Sequence, residues 1–152
     1  MKTNQVIRIT KEFKFEMAHA LLGYNGPCKN VHGHSYGLLV TLIGTPIADI
    51  TDPKLGMVMD FGDLKKIVKE VVVDVFDHAL VLNEKMPADL TNKLKTHFEK
   101  VILLPYQPTS ELMVIDMAGR IKSKLPAHVS LKYLQLRETV TSYAEWYADD
   151  NE

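Results

Sequence analysis

The sequence predicts an α+β fold: a four-stranded antiparallel sheet with two helices on one face, in the order ββααββ. Three features predict it. Two stretches before residue 45 alternate apolar and polar residues, a later stretch carries apolar residues at helical spacing and another the start and stop signals of a helix, and two strand-like runs follow residue 128.

Residues 5–19, QVIRITKEFKFEMAH, form the first expected strand. Successive strand side chains point to opposite faces, so Phe13, Phe15, Met17 and His19 share one of them. After a loop containing Gly, Pro and Asn, HSYGLLVTLIG alternates again and sets His32, His34, Tyr36, Leu38, Val40 and Leu42 on one side. From Asp63 to Phe76, residues Leu64, Ile67, Val68, Val71, Val72 and Val75 follow the i, i+3, i+4 spacing of an amphipathic helix, with Asp60 or Asp63 as its N-cap. A second helix is expected after Pro108, capped by Thr109 or Ser110, with Glu111 near the positive end of its dipole. It runs to about Leu125, where Pro126 helps to stop it. VSLKYLQLRET and SYAEWYA supply the closing strands. Residues 84–104 are ambiguous: ADLTNKLKTHFE reads as a short helix and KVILLPY as a short strand.

At 152 residues, 46% hydrophobic and 24% charged, the chain reads as one domain, 1–152, long enough to bury a core. The formal net charge of -1, from 18 Lys+Arg against 19 Asp+Glu, argues against a broad nucleic-acid or anionic-membrane surface. The opening MKTNQVIRIT has no apolar run of signal-peptide length and no later segment reads as a membrane span, so a cytoplasmic protein is expected. A single cysteine, Cys28, forms no internal disulfide.

The stretch YNGPCKNVHGHSY holds that cysteine together with His32 and His34. Zinc takes three or four N, S or O ligands, and a catalytic site keeps one position open. His32 and His34 supply two ligands from one strand face and His19 a third from a neighbouring strand; the competing reading is a His-Gly-His turn with His19 a satisfied core residue. Cys28 is buried filler, a further zinc ligand, or a proton-transfer group whose thiolate a nearby positive charge favours. Asp77 stands beside His78, and the histidine is either a favourable charge near a helix C-terminus or a carboxylate-oriented imidazole for proton transfer. Glu138 follows Leu134 and Leu136 on the inward face, where a carboxylate needs partners: a salt bridge or an N–H-rich ligand. His97 and His128 read as solvated, and Met17, Met113 and Met117 as core.

Taken in order, FEMAH, CKNVHGHSY, VMDFGDLK, DHALVLNE, PTSE and LRET resemble the 6-pyruvoyltetrahydropterin synthase / 6-carboxytetrahydropterin synthase family over most of the chain. The resemblance implies a tunnelling fold, in which subunits close their sheets into an oligomeric barrel, and a homohexamer of two trimers with active sites where subunits meet. It implies His19, His32 and His34 as zinc ligands, Cys28 as catalytic base, and Asp77 with His78 as a proton-relay pair contributed across the interface. It also implies Glu138 as pterin anchor, with Thr109 and Ser110 as further pterin contacts. The implied substrate is 7,8-dihydroneopterin triphosphate. Three residues, Lys29, Asn30 and Val31, separate Cys28 from His32, and this gap resembles the queuosine-pathway branch, a lyase that releases acetaldehyde and gives 6-carboxy-5,6,7,8-tetrahydropterin. The glutamate of the folate-pathway variant is absent there. The segment between LNE and PTSE is longer than in compact members of that branch, and the tail TVTSYAEWYADDNE has no close match in it. The alternatives are the 6-pyruvoyltetrahydropterin branch and a non-catalytic zinc- or pterin-binding protein; retention of Cys28, Asp77 and His78 weighs against the latter.

Overall fold

In the computed structural model residues 4–151 are described; residues 1–3 and 152 of the expected domain lie outside the described residues. The alternating stretches form the strands expected of them. Strand β1, Ile7–His19, and strand β2, His32–Gly44, run antiparallel, with Ile7 opposite Gly44 and His19 opposite His32. Helix α1 begins at Phe61–Val68, continues through a π-helical stretch, Lys69–Val73, and ends in a last turn, Asp74–Phe76. Asp60 is its cap, accepting the Gly62 amide at 2.6 Å, whereas Asp63 pairs with Lys54.

The rest of the chain corrects the expected four-stranded antiparallel sheet. Strand β3, Ala79–Asn83, helix α2, Ala88–His97, and strand β4, Val101–Leu104, precede helix α3, Ser110–Lys122, and strands β5, Val129–Arg137, and β6, Tyr143–Tyr147. The six strands form one mixed sheet in the order β4-β3-β1-β2-β5-β6. β3 is parallel to both β1 and β4, and α2 is the crossover that two parallel neighbours require. Flanked on both sides, β3 is apolar on both faces, so ALVLN has no alternation by which a sequence reading could find it. α3 ends before the expected Leu125 because residues 123–125 close as turns, Lys124 donating to Ile121 and Leu125 to Lys122.

One sheet face carries the core. Phe15, Tyr36, Leu38, Leu134 and Leu136 pack there with Leu64, Val68, Val72 and Phe76 of α1 and Met113, Met117 and Ile121 of α3. Lys14, Glu16 and Ser35 point to the opposite, exposed face. α2 stands apart from this packing: Thr91 is its buried residue, and Leu90 is 44% exposed. Among the described residues no helix is long and apolar enough to cross a membrane.

The contrast sets a stability test. Leu134→Ala, at a fully buried site, is expected to destabilise by about 2–5 kcal/mol. Leu90→Ala on α2 is expected to change stability by no more than about 0.5 kcal/mol. Denaturant melts of the two variants measure both.

Candidate functional site

The β1–β2 register builds the first part of the site. His19 faces His32 directly and Met17 faces His34, so three imidazoles gather at one end of the core-facing side. One ring nitrogen from each lies within 4.8 Å of the others, a group able to hold a metal ion. Backbone carbonyls orient two of the rings: His19 Nδ1 donates to Pro108 O at 2.7 Å and His32 Nδ1 to Asn30 O at 2.8 Å. Each donation leaves the Nε2 lone pair of a neutral ring pointing inward. Those two Nε2 atoms are 3.0 Å apart, where facing lone pairs repel unless a cation or proton lies between them. Nitrogens on a tetrahedral centre with zinc-like bonds lie about 3.3 Å apart. Burial, the largest effect, lowers the pKa of His19 and favours the neutral, ligating form. His34 Nε2 is buried without a hydrogen-bond partner. The donor set, its tautomers and this orphaned nitrogen all fit a metal.

Beside the imidazoles lies a cavity of about 260 Å³ lined by His19, Cys28, Thr109, Ser110, Glu138 and Tyr143, among others. Cys28 sits in a short 3₁₀ turn, Pro27–Lys29, as a partly exposed free thiol, and its carbonyl accepts the Leu21 amide at 3.0 Å. Glu138 follows the end of β5, and Oε1 lies 3.4 Å from His19 Nε2 and 3.5 Å from His34 Nε2. Arg137 turns elsewhere, to Val140 O and Gln135. Thr109 spends its hydroxyl as the cap of α3, accepting the Leu112 amide. Ser110 Oγ is buried, unpartnered and available to a ligand in the cavity.

Tyr36 is the functional side chain whose role the sequence reading missed. Its hydroxyl donates to Glu138 Oε1 at 3.3 Å, and burial, followed by the charge of Glu138, raises its pKa far above the ordinary phenol value. It therefore stays a donor. Its place on the histidine face was legible, but its reach to a residue 102 positions away was not.

Asp77 and His78 lie in another cavity, of about 1180 Å³, with Glu16, Ser35, Phe98 and Lys100. Asp77 Oδ2 accepts from His78 Nδ1 at 2.9 Å, and His78 is 78% exposed. The Glu16 amide donates to Asp77 Oδ1 at 2.8 Å, the largest influence holding Asp77 below the usual carboxylate range. The structure thus joins His19, Cys28, Thr109, Ser110 and Glu138 around one cavity and leaves the Asp77–His78 pair in a second, which His34 also lines.

The family described as 6-pyruvoyl tetrahydropterin synthase matches residues 8–149. The chain belongs to this family. It is 37% identical over 146 residues to the 6-carboxy-5,6,7,8-tetrahydropterin synthase of Haemophilus influenzae, covering 93% of this chain and 99% of the relative. A protein of the same name from Rickettsia bellii is 34% identical over 121 residues, covering 79% and 83%. Among solved structures, an uncharacterized protein from Wolinella succinogenes superimposes with a TM-score of 0.78 at 20% identity, over 95% of this chain and 99% of that one, a likeness of fold. The 6-pyruvoyl tetrahydropterin synthase of Caenorhabditis elegans does so at 0.67 and 25% identity, over 97% and 99%.

The imidazole geometry predicts metal content. Purified protein is expected to hold about one transition-metal ion per chain, and His32→Ala combined with His34→Ala to lose most of it. Elemental analysis decides; full metal in the folded double variant contradicts the ligand assignment.

Proposed function

We propose that this chain converts 7,8-dihydroneopterin triphosphate and water to 6-carboxy-5,6,7,8-tetrahydropterin, releasing acetaldehyde and triphosphate, as a zinc-dependent lyase of queuosine biosynthesis. The observation that carries the reading is the cavity in which an imidazole of the three-histidine group, the Cys28 thiol and the Glu138 carboxylate meet. Relatives carrying the 6-carboxy name at 37% and 34% identity support this product over the 6-pyruvoyl one.

In this reading His19, His32 and His34 would hold zinc, which when bound would supply Lewis acidity to make a substrate C–H more acidic. Cys28 takes and returns the proton at that carbon. Glu138 accepts hydrogen bonds from the pterin amino group and ring N–H, a paired geometry that fixes the ring, and the Tyr36 hydroxyl braces the carboxylate. Ser110 offers its unpartnered hydroxyl to the ring, and Thr109 frames the same wall while capping α3.

Asp77 and His78 complete the proton path from a neighbouring subunit. Their exposure, in a cavity other than that of Cys28, supports a site shared between copies, and the unpaired edges of β4 and β6 offer places for copies to pair. The assembly is a cytoplasmic homohexamer of two trimers.

Incubation of purified protein with 7,8-dihydroneopterin triphosphate, with products identified by mass, tests the reaction. Acetaldehyde and the 6-carboxy product are expected; 6-pyruvoyltetrahydropterin alone assigns the other branch. Cys28→Ala is expected to keep metal and pterin binding while turnover falls about 10²–10⁴-fold. Loss of metal from that variant makes the thiol a ligand, and near-normal turnover makes it filler. Mixed oligomers of Cys28→Ala and His78→Ala subunits are expected to recover activity that neither parent has, which a site confined to one chain cannot do.

A further inference from the structure

The turn that carries Asp77 and His78 is held from a side the reaction chemistry does not explain. Lys100 lies between α2 and β4, and its main chain is fixed: the Leu80 amide donates to its carbonyl at 2.9 Å. Its ammonium reaches back to donate to Asp74 O at 2.8 Å and to Asp77 O at 2.6 Å. A lysine at a helix C-terminus often does no more than satisfy carbonyls that the helix leaves without donors.

Two features take Lys100 beyond that. The Asp77 carbonyl belongs to the peptide that joins Asp77 to His78, so its bond to Lys100 sets the plane from which the imidazole projects. His78 also has φ 59, in the left-handed region that a non-glycine residue enters only when its surroundings hold it there. On the other side β1 does the holding: the His78 amide donates to Glu16 O at 2.6 Å, and the Glu16 amide donates to Asp77 Oδ1. Remove the ammonium and one of the two clamps on a strained turn is gone. The imidazole, 78% exposed, has few other contacts to keep its direction.

We propose that Lys100 is a positioning residue for the Asp77–His78 pair, clamping the peptide between them so that the imidazole keeps the direction proton transfer requires. This rests on the reading of that pair as the proton relay. It also gives the β3–α2–β4 segment a part in the chemistry, since the segment delivers Lys100 to the end of α1. The ammonium adds to the influences holding Asp77 ionised, after the Glu16 amide and His78.

The test uses the full chain with its metal. Lys100→Met, which keeps length but removes charge and donors, is expected to lower kcat at least about tenfold, with KM within about twofold and metal content unchanged. Lys100→Arg, which restores charge and donors, is expected to recover most of the loss. In a His78→Ala background Lys100→Met is expected to cause no further fall in single-turnover rate, because the group through which it acts is gone. Unchanged kcat in Lys100→Met overturns the proposal. So does a further fall in the double variant, including one caused by loss of folded protein. If the wild-type chain makes no product, the proposed reaction has failed, and ¹⁵N shifts of the His78 ring decide the positioning claim. A dominant Nδ1–H tautomer in wild type that gives way to a mixture in Lys100→Met supports it, and an unchanged tautomer overturns it.

Discussion

The register of β1 against β2 is the constraint on which the site depends. Because strand side chains alternate, pairing His19 with His32 and Met17 with His34 turns all three imidazoles toward the core side, and a slip of one residue sends the second strand's pair to the other face. The apolar residues enforce that register. Phe13, Phe15 and Met17 on β1 and Tyr36, Leu38, Val40 and Leu42 on β2 are buried on the same face, so the hydrophobic free energy of the core and the geometry of the imidazoles favour one alignment. The intervening positions serve the other face: Glu16 carries the main-chain groups that hold Asp77 and His78, and its side chain accepts from Ser35 Oγ at 2.7 Å.

Orientation matters as much as proximity. An imidazole offers a lone pair at one nitrogen only when its other nitrogen carries the proton, and the carbonyls of Pro108 and Asn30 hold that proton on the outer side of His19 and His32. Pro108 lies directly before the cap of α3, so the helix that supplies Ser110 to the cavity also fixes the tautomer of a histidine 89 residues earlier. Burial weighs against protonation of His19, which leaves a cation as the natural relief for the facing lone pairs.

Much of this was legible in the sequence because its physics is local. Alternation revealed β1 and β2 and hence the shared face of His19, His32 and His34, while helical spacing revealed α1 and capping residues the helix after Thr109. β3 was not legible: flanked on both sides and apolar on both faces, it has no period to detect, and without it α2 and β4 had no place. The expected inward face of β5 carried Glu138 toward the histidines, yet no pattern specifies that its neighbours are His19, His34 and Tyr36 rather than an arginine. Such contacts depend on loop closure over long sequence separations, where sidedness is encoded and pairing is not.

The short gap between Cys28 and His32 now has a physical meaning beyond its likeness to one branch of the family. Residues Pro27–Lys29 form a 3₁₀ turn in which the Asn30 amide and side chain both donate to Pro27 O, at 3.0 and 3.2 Å. The carbonyl of that same Asn30 accepts from His32 Nδ1. The turn that presents the thiol to the cavity is therefore also the support of a candidate metal ligand, with no slack between the two. Lengthening the gap would loosen the thiol from the imidazole it accompanies, and shortening it would remove the residue whose carbonyl fixes the ring. Three intervening residues let a single 3₁₀ turn place Cys28 and leave one carbonyl over to orient His32, so the positions of thiol and candidate ligand are set by the same turn.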